Sequence, residues 1–389
     1  MLALKLAIRN LLGAGLRTWL TAGVLSIAFV VMVFYQGLLD GWNLHARSTT
    51  REWEIGGGQY WHPAYDRFDP FSLQEAHAPL SHQALELAAA GRIVPELITQ
   101  ATAYPDGRMV NLLIRGIPPG QQLLSLPTAA LAADSVGIPA LIGRRMAASL
   151  RLQPGDALLL RWRDRSGVFD AREVTIVGIF RADVPSIDQG QIWLPLATVQ
   201  EMTGMAGEAT LLVSAPDQPP LPLAGWVFKD TDFLLKEFTE VIHSKKAGSS
   251  IIYGTMLAIA LLAIFDTQVL SIFRRRREIG TYMALGMTRG QVIGLFTVEG
   301  AAHSLFALLL ASIYGLPLLH WLGTHGISMP EVADATGMTI GVKMLPVYSA
   351  GMVLFSVAVV ILSTAIVSYL PARRIARLKP TEALRGRSQ

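Results

Sequence analysis

Four histidines, His45, His62, His77 and His82, and two aspartates, Asp66 and Asp69, lie close together in this sequence and are its nearest approach to a metal-ligand cluster. Their spacing fits no single helix face, and no cysteine joins them, since the 389 residues contain none. The D-x-x-D pair reads as turn chemistry, so no metal site is expected. Without cysteine there are also no disulfides, thiolate ligands or thiol nucleophiles. None of the seven lysines follows a glycine, which excludes a G-x-x-x-x-G-K-[ST] phosphate loop, and neither G-x-S-x-G nor H-E-x-x-H occurs. The arginines of RWRDRSG alternate with acids, a pattern that does not call for nucleic acid. The chain is expected to have no catalytic residues and no cofactor of its own.

Two further carboxylates, Asp266 and Glu299, stand inside apolar runs, where ionised groups are costly. The composition explains those runs. Hydrophobic residues make up 51% of the chain and charged residues 16%, well below the roughly 25% of soluble domains. A hydrocarbon core needs about 20 apolar residues, and four such stretches occur, at 17–40, 249–273, 291–319 and 345–370. At about 1.5 Å per residue, Asp266 and Glu299 come to matching depth, about 10 to 12 Å from the cytoplasmic ends of spans two and three. Two readings follow: proton coupling, or protonated or hydrogen-bonded groups that tie the two spans together.

Charge sets the direction. Lys5, Arg9 and Arg17 precede span one, Arg274 to Arg277 and Arg289 separate spans two and three, and Arg373, Arg374, Arg377, Lys379, Arg385 and Arg387 follow span four. Those fourteen cations meet only Glu278 and Glu382, whereas 41–247 holds 18 basic against 22 acidic residues. By the positive-inside rule both termini are cytoplasmic, with 41–248 and a loop at 320–344 outside. The first apolar run is too long for a cleaved signal peptide and lacks a small-x-small site, so it reads as an anchor. Before it, Leu4, Ala7, Ile8, Leu11 and Leu12 mark residues 1–16 as an amphipathic helix at the inner interface, and 371–389 is a cytoplasmic tail.

The outer region alternates strand and helix signals. Ser81 caps a helix that Gly91 ends, and RIVPELITQATA and RMVNLLIRGI are strands joined by a Tyr104-Pro105-Asp106-Gly107 turn. A second block at about 138–204, with helix GRRMAASLRL, strands ALLLRWR, REVTIVGIF and QIWLP and helix LATVQEMTG, reads as a smaller α/β unit inserted in a larger one. Leu234, Leu235, Phe238, Val241 and Ile242 keep helical spacing into span two, predicting a stalk. The fold class is therefore a four-helix membrane region with a large two-part α+β extracytoplasmic domain between helices 1 and 2.

The cytoplasmic loop 274–290 carries the densest pattern. Glu278 to Leu285 spans two helical turns, Gly286 suits a position just past a helix end, and Thr288 with Gln291 forms a T-x-x-Q capping box that starts span three. A short helix held between two membrane helices suits force transfer to a soluble partner.

R-R-R-E-I-G-x-x-x-A-L-G-M-x-R-x-Q-V resembles the signature of the FtsX-like, or MacB-type, permeases of ABC transporters. KLAIRNLL…LRTWLTAGVLSIA resembles that family's N-terminus, IGRRMAASLRLQPGDALLL and VTIVGIF…IDQGQIWLPLATVQEMTG its outer domain, and LPARRIARLKPTEALRG its C-terminus. The resemblance implies a type VII-like subunit of a bacterial inner membrane that pairs with a second permease copy or a related permease and with two ATPase subunits, which bind ATP and Mg. It also implies that Glu278, Ile279, Gly280, Ala284, Leu285 and Gly286 couple to the ATPase. GGGQYWHPAYD and IDQGQIWLPL look closest to the lipoprotein-releasing permeases LolC and LolE. Lipoprotein release, with a lipoprotein or periplasmic partner and membrane lipid, is the leading expectation. MacB-like export of a small molecule or peptide and FtsX-like activation of a partner are the alternatives.

Overall fold

Glycine and proline turns cut the polar region into short strands, and the computed structural model shows how they pair; it describes residues 16–132, 137–182, 185–216, 218–328 and 343–375. The interfacial helix expected before residue 16, positions 329–342 of the outer loop and the tail beyond 375 lie outside the described residues. The described chain divides into two compact units, a helical one formed by 16–42, 241–328 and 343–375 and an α/β one within 43–240.

In the α/β unit nine strands share one sheet: β1 Gln59–Trp61, β2 Ile93–Ala103, β3 Val110–Ile117, β4 Ile138–Gly143, β5 Ala157–Arg163, β6 Phe169–Phe180, β7 Gln191–Pro195, β8 Leu211–Ser214 and β9 Val227–Lys229. Their order is β9-β1-β8-β2-β3-β7-β4-β6-β5, and β2 pairs again with β5 through Ala101–Trp162 to Ala103–Leu160, closing six strands into a ring. The 138–204 block is thus not a separately cored unit. Leu158, Leu160 and Trp162 of β5 and Val174 and Ile176 of β6 share a core with Leu97 and Ala101 of β2 and Leu112 and Ile114 of β3. That difference has a plain cause, because local turn signals carry no information on which distant strand accepts the hydrogen bonds.

The expected helices are present. Ser81 Oγ accepts from the Ala84 N–H at the start of His82–Ala89. Arg144–Leu150 and Leu196–Thr203 put Met146, Ala147, Leu150, Val199 and Met202 into the core of the ring, and Gly204 ends the second helix in the left-handed region that glycine adopts freely. The opposite face of the sheet carries Val94, Ile98, Trp193, Leu211 and Val213, so the central strands are apolar on both sides.

The helical unit contains four helices long and apolar enough to cross a membrane: Leu16–Thr50, Lys236–Arg274, Arg289–His325 and Ala350–Ile375. Ala22, Leu25, Ala260, Ile264, Ala307 and Val360 form one core drawn from all four. Small residues permit the close approach that helix packing in lipid depends on. At Gly300 an added Cβ would overlap the Ser368 side chain, and at Gly315 it would meet Val30. The first two of these helices are longer than the spans expected from the sequence, ending at Thr50 and starting at Lys236.

Candidate coupling surface

The loop after the second span is a helix with two non-helical joints. Arg275 leaves helical geometry (φ −97°, ψ 16°), Arg276–Ala284 is helical, and Gly286 takes φ +100°, open to glycine without strain. Thr288 then caps the third span reciprocally: its Oγ1 accepts from the Gln291 N–H (3.3 Å), and its own N–H donates to Gln291 Oε1 (2.8 Å). Both orphan donors are satisfied, so the third span starts at a defined residue.

The six residues expected to couple fall on two sides. Ile279 is 2% exposed and packs with Ile272, Val292, Phe296 and Ala372, while Gly280 is buried next to it. Those two serve the chain's own interior. Glu278, Ala284, Leu285 and Gly286 face outward, with Leu285 79% exposed. A large apolar side chain displayed at the end of a helix pinned by its inner face is suited to insertion into a partner.

The two carboxylates expected inside the spans, Asp266 and Glu299, do not meet. Glu299 is buried, and both its oxygens accept from Arg275 Nη1, at 3.0 and 2.9 Å. Arg275 Nε donates to Glu278 Oε2 at 2.7 Å, and its guanidinium lies 5.2 Å from the centre of the Phe296 ring. Asp266 points outward and has no ion-pair or hydrogen-bond partner among the described residues. The tie therefore runs from Glu299 to the loop and not to Asp266. The i,i+3 spacing of Arg275 and Glu278 was visible in the sequence, but nothing local marks a partner 24 residues away.

The histidines do not gather either. His77 Nδ1 contacts Glu208 Oε2, whose other oxygen accepts from Arg165 Nη1 at 2.8 Å, and His82 faces Glu86 at 3.3 Å on its own helix. Among the described residues no three His, Asp or Glu converge as a metal site.

Residues 250–380, which hold the last three spans and the loop helix, match the FtsX-like permease C-terminal family. The match covers the C-terminal third of the chain, which resembles the FtsX-like permeases. An uncharacterized ABC transporter permease of Methanocaldococcus jannaschii is 31% identical over 41% of this chain and 39% of its own length. The macrolide export ATP-binding/permease protein MacB of Hyphomonas neptunium is 32% identical over 39% of this chain and 22% of its own, and the uncharacterized ABC transporter permease YknZ of Bacillus subtilis 28% over 39% and 35%. The chain thus spans well under half the length of these relatives. The extracellular domain of the noncanonic ABC-type transporter YknZ from Gram-positive bacteria aligns with a TM-score of 0.27 and 12% identity over 41% of this chain and 83% of that one.

Proposed function

We propose that this chain is the transmembrane subunit of an ABC transporter, receiving motion from a separate ATPase at the loop helix and passing it to the α/β unit. The observation that carries the reading is the split of the loop helix, with Ile279 locked inside and Leu285 held out at its C-terminal end, just before Gly286. The unbroken helices at Leu16–Thr50 and Lys236–Arg274 supply the route outward, since a helix transmits displacement along its hydrogen-bonded axis. ATP and Mg belong to the partner, two copies of which serve a pair of permeases, this chain twice or this chain with a related one. The termini and the loop helix face the cytoplasm of a bacterial inner membrane, in keeping with the fourteen basic residues near the span ends.

Lipoprotein release from the membrane is the substrate reading, supported by the LolC- and LolE-like stretches 56–66 and 187–196. Export of a small molecule is the second reading, favoured by the macrolide export proteins among the relatives. Purification of the tagged chain in mild detergent tests the function. A co-purifying ATPase that is lost in Leu285→Asp, with any acylated protein retained in the complex, is the expected result. Wild-type recovery of the ATPase with Leu285→Asp rejects the coupling surface, and a trapped non-acylated substrate decides for export.

A further inference from the structure

We propose that Arg275 is the pin through which the loop helix moves the third span, a role that rests on the coupling reading above and assigns its transmitting residue. The loop helix is joined to its neighbouring spans through non-helical backbone on both sides, at Arg275 and at Gly286 to Thr288. Backbone joints of this kind bend, so side chains must carry any directed displacement. Two sets are available. The contacts of Ile279 with Ile272, Val292, Phe296 and Ala372 hold the helix down, but apolar packing is non-directional. The guanidinium of Arg275 is directional: it donates to Glu278 on the loop helix and to both oxygens of Glu299 on the third span.

Position strengthens the case. Glu299 is ten residues into Arg289–His325, about 15 Å along the helix, and its carboxylate is nine-tenths buried. Removing one partner of a buried ion pair leaves the other uncompensated, so the pair resists separation. Arg274 and Arg277, which flank the same turn, are exposed and have no carboxylate partner among the described residues. They do what positive-inside residues do. Arg275 alone of these three turns inward, its side chain 20% exposed, and it bridges two helices.

The test uses the full chain in lipid nanodiscs with one spin label on Thr281→Cys of the loop helix and one on Leu309→Cys of the third span, the natural absence of cysteine leaving only these two sites. Glu299→Gln and Arg275→Gln are expected to broaden the label-to-label distance distribution, and the exchange Arg275→Glu with Glu299→Arg is expected to narrow it again. In complex with the ATPase, the same single variants are expected to retain the partner while stimulated hydrolysis falls by about 5- to 150-fold, the range of ordinary coupling energies. Unchanged distances in both single variants overturn the pin and leave Ile279 as the holding contact. Broadened distances with undiminished stimulation overturn its role in transmission. Failure of the coupling reading shows separately, as a wild-type chain that recovers no ATPase; the label distances still decide the pin.

Discussion

Glu96 and Arg115 face each other from neighbouring strands β2 and β3, both buried, with Arg115 Nε donating to Glu96 Oε2 at 3.1 Å and Nη2 to the same oxygen. Arg115 also reaches Gln191 Oε1 at 3.2 Å and Glu54 at 3.6 Å, and stacks 4.6 Å from the Trp193 ring centre. One guanidinium therefore joins β2, β3, β7 and the π-helical turn Arg51–Ile55 that ends the first long helix. Arg115→Leu is expected to destabilise the protein by about 3–5 kcal/mol, because Glu96 is left buried without its cation. Adding Glu96→Gln to that variant should recover a large part of the loss. Thermal unfolding of the two variants in detergent measures both; a double variant no better than the single contradicts the account.

The same pair gives a pH dependence. Burial pushes the Glu96 carboxyl above its ordinary value, and the charge and hydrogen bond of Arg115 pull it back only in part. A folded-state pKa raised above the unfolded one means that the folded chain keeps a proton which the unfolded chain releases. The contribution is complete below the ordinary carboxylate value and is lost as pH rises through the raised one. Unfolding midpoints measured from about pH 4 upward should fall in that window for the wild type and fall less for Glu96→Gln.

Gly300→Ala should weaken the contact between the third and fourth helices, since its new methyl overlaps Ser368 in a packed interior. Overpacking of this kind costs about 1–3 kcal/mol. Ser368→Gly opens the space and should restore the wild-type melting temperature when combined with Gly300→Ala. Equal stability of Gly300→Ala and wild type would show that the helices part without cost.

Ile279→Asp and Leu285→Asp are the same chemical change six residues apart and should have opposite consequences. The first places a carboxylate in the core of Ile272, Val292 and Phe296 and should sharply lower the yield of folded protein. The second sits at an exposed position and should leave stability within about 0.5 kcal/mol while removing the partner. Size-exclusion profiles read the first effect and co-purification the second.

Ser166→Cys on the hairpin between β5 and β6 should react with an impermeant maleimide in intact spheroplasts, and Thr281→Cys on the loop helix should react only after permeabilisation. Both positions are exposed, so accessibility reports sidedness and not burial. The reverse labelling pattern would falsify the inferred orientation.

The histidines show how proximity in sequence misleads. His62, His77 and His82 are near one another along the chain, yet His77 finds Glu208 and His82 finds Glu86, because strand pairing of Ala78–Pro79 with Glu208–Ala209 sets the neighbours of His77. The α/β unit repeats the lesson at larger scale. Its strands were marked by alternation, as in the exposed-buried pattern of β5, but the second pairing of β2 with β5 was not. It links positions about 60 residues apart through backbone hydrogen bonds that no side-chain pattern names.

For the helical unit the division is sharper still. Length and apolarity place four candidate spans, and Gly286 with the Thr288–Gln291 box sets where the loop helix ends and the third of them begins, all from interactions within a few residues along the chain. Position along each helix axis was legible too, because every residue adds the same rise. Rotation about the helix axis was not. At 3.6 residues per turn, two acids at one depth face each other only if packing turns both helices that way, and here packing turns Glu299 inward to Arg275 and Asp266 outward. The same rotation buries Ile279 and displays Leu285, so the tertiary structure alone decides which residues of the signature hold the loop helix and which are free to meet another protein.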